Sequence, residues 1–168
     1  LDGETEAELL ARSPAGLALL RPLADLAPLA VARFAEARPR LQSEVSVAGY
    51  SYEGVLSAAT LTFGTLDDVR GLQGEAELSR LSLAARPGDT GGPVFDAEGG
   101  VIGLLLPRPA GDQVLPEEVR FALDTQAIAA LARENGLALS TADRATPMAP
   151  RDLRIAAQGM TVLVSCWD

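Results

Sequence analysis

Between Pro87 and Pro93 the chain reads Pro-Gly-Asp-Thr-Gly-Gly-Pro, and a segment with three glycines and two prolines can be neither a helix interior nor a regular strand. Glycine tolerates backbone angles that other residues avoid, and proline fixes φ and removes an N–H donor. The stretch Arg86–Phe95 is therefore a sharp, constrained loop. It runs into Val94-Phe95, the turn Asp96-Ala97-Glu98-Gly99-Gly100, and the apolar run Val101-Ile102-Gly103-Leu104-Leu105-Leu106. Loop, short strand, tight turn and buried strand together present one side chain, Thr90, on a rigid bend.

The flanking chain alternates in short segments. A turn at Asp2-Gly3 leads to a strand near Glu6–Ala11, a break at Ser13-Pro14-Ala15-Gly16 and an apolar strand Leu17–Leu20. Residues 23–40 are rich in Ala and Leu, and predict a loop with a short helix near Val31–Ala37. Val45, Val47 and Tyr50 approach period two, Gly49–Tyr52 turns, and Val55–Phe63 resumes a strand. A polar hairpin over Gly64–Gly74 leads to a strand near Glu77–Leu83, which feeds the loop. After a loop with Pro107, Pro109 and Gly111 come a strand at Val119–Leu123 and a helix capped by Asp124 or Thr125. That helix has apolar positions at Ile128, Leu131 and Ala132 and a stop at Asn135-Gly136. The tail reads as a Ser/Thr/Pro linker, a short helix with Pro150 near its start and Gly159 at its end, and a strand Thr161–Cys166.

Composition removes several classes of function. The 168 residues suit one domain, and 48% hydrophobic content supplies a core; with aromatics at 4%, that core must be Leu, Val and Ala. No apolar run approaches the roughly 18 residues of a membrane span. A net charge of −9 without a long basic run argues against nucleic acid and anionic membrane surfaces as partners. There is no histidine, so this chain supplies neither an imidazole base nor a histidine metal ligand, and no metal site or cofactor is expected. Cys166 is the single cysteine, which excludes an internal disulfide. The acidic pairs Asp67-Asp68 and Glu117-Glu118 read as solvated turns rather than metal sites. All 14 basic residues are arginine, and with Ala, Leu and Gly abundant the composition suggests a GC-rich bacterial source. The start at Leu1-Asp2-Gly3 suggests a processed or trimmed chain.

Gly88-Asp89-Thr90-Gly91-Gly92-Pro93 resembles the G-D-S-G-G-P loop of chymotrypsin-like serine peptidases, with threonine at the serine position. The resemblance spans about residues 1–136 and is strongest to bacterial HtrA/Deg-type members. Ser13-Pro14-Ala15-Gly16-Leu17-Ala18-Leu19-Leu20 matches their D-P-x-x-D-L-A-L-L segment, with Gly16 where the family places the aspartate that orients the catalytic histidine. It implies an all-β, chymotrypsin-like double β-barrel whose first barrel is incomplete in this chain, with a C-terminal helix and a short helix-strand tail. Residues 1–40 would be the end of the first barrel and the interdomain crossing, 41–136 the second barrel with its closing helix, and 137–168 a tail packing back on the domain.

In that family a histidine deprotonates the serine hydroxyl while loop N–H groups stabilise the oxyanion. The resemblance gives that backbone role to Gly88, Asp89 and Thr90, with Gly88 and Thr90 as the two donors. Asp89 would hold the loop through a buried pairing, with an arginine or backbone N–H groups as partner rather than the Leu1 amine. Threonine's β-methyl restricts χ1 and crowds the approach to its hydroxyl. With Thr90, Gly16 and no histidine, the resemblance implies a pseudopeptidase acting as a protein- or peptide-binding or scaffold module, periplasmic or secreted, with its own upstream segment as a further candidate partner. The alternative is an active endopeptidase completed by an upstream histidine, with Thr90 as a weak nucleophile. Cys166 has two readings: a buried free thiol, or, from the family's extracytoplasmic placement, a disulfide to a segment absent from this sequence.

Overall fold

The computed structural model describes residues 4–52, 55–109, 115–142 and 145–166. Six strands close a barrel: β4 (Glu44–Gly49), β5 (Thr60–Asp68), β6 (Leu78–Leu83), β7 (Pro93–Asp96), β8 (Val101–Leu105) and β9 (Val119–Asp124). Their order is β7-β4-β5-β6-β9-β8, and β8 returns to pair with β7, every one of these pairings antiparallel. Closure leaves the barrel no free edge. Its interior is filled by Val45, Val47, Leu66, Leu81, Leu83, Val94, Ile102 and Leu105, all at most 7% exposed. The alternation seen at Val45 and Val47 is the pleat placing every second side chain inside.

Ahead of the barrel, β1 (Ala7–Arg12) and β2 (Ala18–Pro22) form a separate antiparallel hairpin that pairs with no other strand among the described residues. Glu8 and Arg21 form an ion pair across it, and Leu9, Leu10 and Leu20 remain exposed. The predicted helix near Val31–Ala37 does not form. Instead β3 (Phe34–Ala35) bridges β8 and β10 (Thr141–Ala142) in parallel. Local helical preference there is overridden by distant backbone partners: Arg33 O accepts from Val101 N at 2.8 Å, and Phe34 N donates to Ser140 O at 2.8 Å.

The strand predicted at Val55–Phe63 begins only at Thr60, and it continues to Asp68 through the residues assigned to a polar hairpin. Gly64 lies mid-strand rather than in a turn: a Cβ there would sit 2.1 Å from Ser82 O, so glycine permits close approach of β6. Asp68 is a strand end paired with Arg80 at 3.5 Å, not a solvated turn.

Helix α1 (Thr125–Glu134) starts at Asp124, whose carboxylate accepts from Gln126 N and Ala127 N, and ends at Asn135 with Gly136 at φ 73°. Helix α2 (Pro150–Met160) buries Leu153 and Ala157, four residues apart on one face, against Phe95, Val101 and Ala48. The strand expected at 161–166 does not form; Tyr50 Oη donates to Thr161 O at 3.3 Å. The turn expected at Asp2-Gly3 and the Leu1 amine lie outside the described residues.

Candidate functional site

The 86–92 loop is fastened between the end of β4 and the end of β8. Tyr50 N donates to Gly88 O at 3.0 Å, Gly91 N to Leu105 O at 2.8 Å, and Leu105 N to Gly92 O at 2.9 Å. Close contact explains the glycines. A Cβ on Gly88 would lie 2.2 Å from Tyr50 O, and one on Gly92 would lie 1.9 Å from Ala48 O. Gly49, on the opposing strand, has the same role: its Cβ would meet Asp89 Cα at 2.4 Å. Gly91 is required for a different reason, since its φ of 81° lies in the left-handed region while its Cβ direction is open.

Asp89 is fully buried. Its Oδ2 accepts from Arg86 N at 2.9 Å and its Oδ1 from Ser51 Oγ at 2.5 Å. Ser51 has one hydroxyl hydrogen, which this short bond uses, so the 2.9 Å contact between Ser51 Oγ and Thr60 Oγ1 has Thr60 as donor. The carboxylate is thus held by a backbone N–H and a two-hydroxyl chain, Thr60 to Ser51 to Asp89, reaching across from the β4–β5 connection. The expected arginine partner is absent among the described residues and the expected backbone donor is Arg86. Sequence reasoning missed Ser51 and Thr60, which carry no motif and meet Asp89 only through the barrel.

The Thr90 backbone N–H is engaged within the loop itself. A single 3₁₀ turn over Pro87–Asp89 directs the Thr90 N–H onto Pro87 O at 3.1 Å. Proline at the start of the turn favours this geometry, because its fixed φ suits the first helical position. Gly88 N–H meets no acceptor among the described residues. One of the two expected donors is therefore occupied by the loop's own carbonyl. The Thr90 side chain is exposed, with φ −60° and ψ 134°.

Gly16 lies in the β1–β2 turn with φ 85°, where Gly16 N donates to Ser13 O at 3.1 Å. That conformation favours glycine on local grounds and would strain an aspartate. No hydrogen bond joins this hairpin to the 86–92 loop among the described residues. Cys166 is exposed and free, so the buried-thiol reading does not hold; the extended 161–166 segment keeps it at the surface.

Arginines converge on the same end of the barrel. Arg86 lies over the Tyr52 ring, 4.5 Å from its centroid. Arg120, at the start of β9, donates to Ala85 O at 2.7 Å, to Val119 O at 2.9 Å and to Glu117 O. Burial holds its guanidinium below the ordinary arginine value and Arg108 adds to the effect, against the opposing fields of Glu117, Asp89 and Glu118. Among the described residues no helix is long and apolar enough to cross a membrane.

Residues 2–104 match the family model described as trypsin-like peptidase domain. The fold is similar to that of the Rv3671c protease of M. tuberculosis. In its active form the TM-score is 0.64 at 22% identity, over 84% of this chain and 63% of that one. In its inactive form the TM-score is 0.61 at 23% identity, over 80% and 69%. The barrel, the loop on its end and the closing helix are those of the chymotrypsin-like fold. By sequence the chain is 29% identical over 170 residues to uncharacterized protein y4bJ of Sinorhizobium fredii (strain NBRC 101917 / NGR234), across 92% of this chain. The chain spans 27% of that relative's length.

Proposed function

The chain belongs to the trypsin-like peptidase domain family, and on that premise we propose that it is a degenerate member without peptidase activity, which binds a protein or peptide along the cleft beside Thr90. The observation that carries this reading is the hydrogen bond from Thr90 N to Pro87 O. Acyl transfer on such a loop requires preorganised N–H donors aimed at the developing negative charge. Here a carbonyl oxygen, itself partly negative, occupies the Thr90 donor. Three sequence features agree with it. The nucleophile position holds a β-branched threonine, the chain supplies no histidine to take its proton, and the position of the orienting acid holds Gly16.

What the fold keeps is a rigid loop and the strand ends around it, which is sufficient to hold an extended peptide. A place in the bacterial cell envelope, periplasmic or secreted, is part of the proposal.

The test uses the full-length protein and its Thr90→Ala variant on casein and on a mixture of fluorogenic peptides. Neither protein is expected to turn over substrate above buffer. Turnover by the parent that disappears in the Thr90→Ala variant would establish instead an active endopeptidase, completed by a histidine from outside these residues.

A further inference from the structure

The chain has two methionines, and they flank one element: Met148 lies two residues before α2 and Met160 is its last residue. Both are partly buried and pack on the apolar layer of Ala48, Phe95, Val101, Leu153 and Ala157. Leu153 and Ala157 are what α2 contributes to that layer, and the two thioethers extend its grip to either end. Met148 is seated on the β7–β8 turn. Its N–H donates to Ala97 O at 2.8 Å. Its side chain fills the space that a Cβ on Gly99 would need: that Cβ would lie 2.6 Å from Met148 Cε, 3.2 Å from its Sδ and 3.7 Å from Leu153 Cδ1. The thioether is therefore wedged between the turn and the helix, while its partial exposure leaves it open to a small reagent.

At its other end α2 meets the segment that supports the 86–92 loop. Gln158 Nε2 donates to Ala59 O at 3.0 Å, and Tyr50 Oη donates to Thr161 O at 3.3 Å. Tyr50 N in turn holds Gly88 O, and Thr60, next to Ala59, begins the hydroxyl chain through Ser51 to Asp89. The seating of α2 and the shape of the loop thus share the β4–β5 connection.

We propose that Met148 and Met160 form an oxidation-sensitive clasp. A hydroperoxide converts both thioethers to sulfoxides, α2 lifts from the barrel, and the β4–β5 connection loosens its hold on the loop. In each oxidation a sulfur lone pair attacks a peroxide oxygen. The S–O bond forms as the O–O bond breaks, sulfur loses two electrons, and hydrogen peroxide leaves as water. The product carries a strong dipole that a layer of Ala, Phe, Val and Leu side chains solvates poorly, which is how such oxidation disrupts apolar packing.

Peptide mapping by mass spectrometry and hydrogen exchange test it on the full chain carrying Cys166→Ser, so that the exposed thiol does not compete for oxidant. Hydrogen peroxide should add one oxygen to each methionine. Amide exchange should then accelerate about tenfold or more in α2 and at 86–92, as an unsatisfied dipole forced into packing requires. Methionine sulfoxide reductases A and B together should reverse both changes. Met148→Leu combined with Met160→Leu nearly conserves volume and removes both sulfurs. That double variant should melt like the parent, and its exchange should not respond to peroxide. Full oxidation without faster exchange, acceleration that persists in the double variant, or acceleration in α2 with the loop unchanged would each overturn the inference. So would methionines that stay reduced in peroxide that oxidises a free methionyl peptide.

Discussion

At the scale of single residues, Asp89 is the clearest case of a side chain whose identity was visible and whose environment was not. The G-D-x-G-G-P pattern marks the aspartate; its burial follows from the glycines that crowd around it, and its partners from the fold. A buried carboxylate is tolerated only where donors satisfy it. Here those donors are Arg86 N and the Ser51 hydroxyl, backed by Thr60. Ser51→Ala removes one donor and should cost about 1–3 kcal/mol, and Asp89→Ala, which orphans two donors, about 2–4 kcal/mol. Urea denaturation monitored by circular dichroism measures both. Values within about 0.5 kcal/mol of the parent, as for an ordinary surface change, would mean that the hydroxyl chain does not hold the loop. Thr90 is the converse case: its side chain was legible, but the direction of its N–H was not. The 3₁₀ turn at Pro87–Asp89 decides that direction, and it depends on how the loop is fastened at both ends.

Among the elements, the loop shows why clustered glycines are not interchangeable. Gly91 needs its φ of 81° but has open space in its Cβ direction, whereas Gly92 would drive a Cβ to 1.9 Å from Ala48 O and 2.9 Å from Asp89 O. Both of those neighbours are backbone atoms, so no rotamer change relieves the clash. Gly91→Ala should therefore lower stability by about 1 kcal/mol, and Gly92→Ala by about 2–3 kcal/mol or more. Thermal melts of the two variants side by side decide the matter, and an equal or reversed order would sink this account of the loop's packing. Elsewhere, the two helices that form among the described residues are marked in the sequence, although the one expected near Val31–Ala37 is not there. Asp124 and Asn135-Gly136 bound α1 as their chemistry predicts, and Pro150 opens α2. Short strands are marked poorly. β3 exists because Val101 and Ser140 supply backbone partners, while the apolar run at 162–164 gains no ladder partner among the described residues.

For the molecule as a whole, the closed barrel and the β1–β2 hairpin differ in what supports them. The barrel has paired edges on every strand and an aliphatic interior; among the described residues the hairpin pairs with no other strand, and it leaves Leu9, Leu10 and Leu20 in solvent. An isolated two-stranded hairpin is marginal in water. Hydrogen exchange followed by mass spectrometry on residues 1–168 should find amides of β4–β9 slow and those of β1–β2 fast. Equal protection would show that the hairpin is seated on the barrel.

Legible from the residues alone were the family, the strand-loop-strand frame around Thr90, the caps of α1 and the proline that opens α2. These rest on local chemistry: glycine and proline angles, a capping carboxylate, and period-two alternation. Tertiary structure alone decided which hydroxyls hold Asp89, that Gly64 continues a strand instead of ending it, and that Arg120 reaches Ala85. Those outcomes depend on which distant backbone atoms arrive beside a residue once the barrel closes. The loop at 86–92 belongs to both: its glycines are legible from their spacing, while the bonds that fasten it, Tyr50 N to Gly88 O and Gly91 N to Leu105 O, come from the strands that close around it.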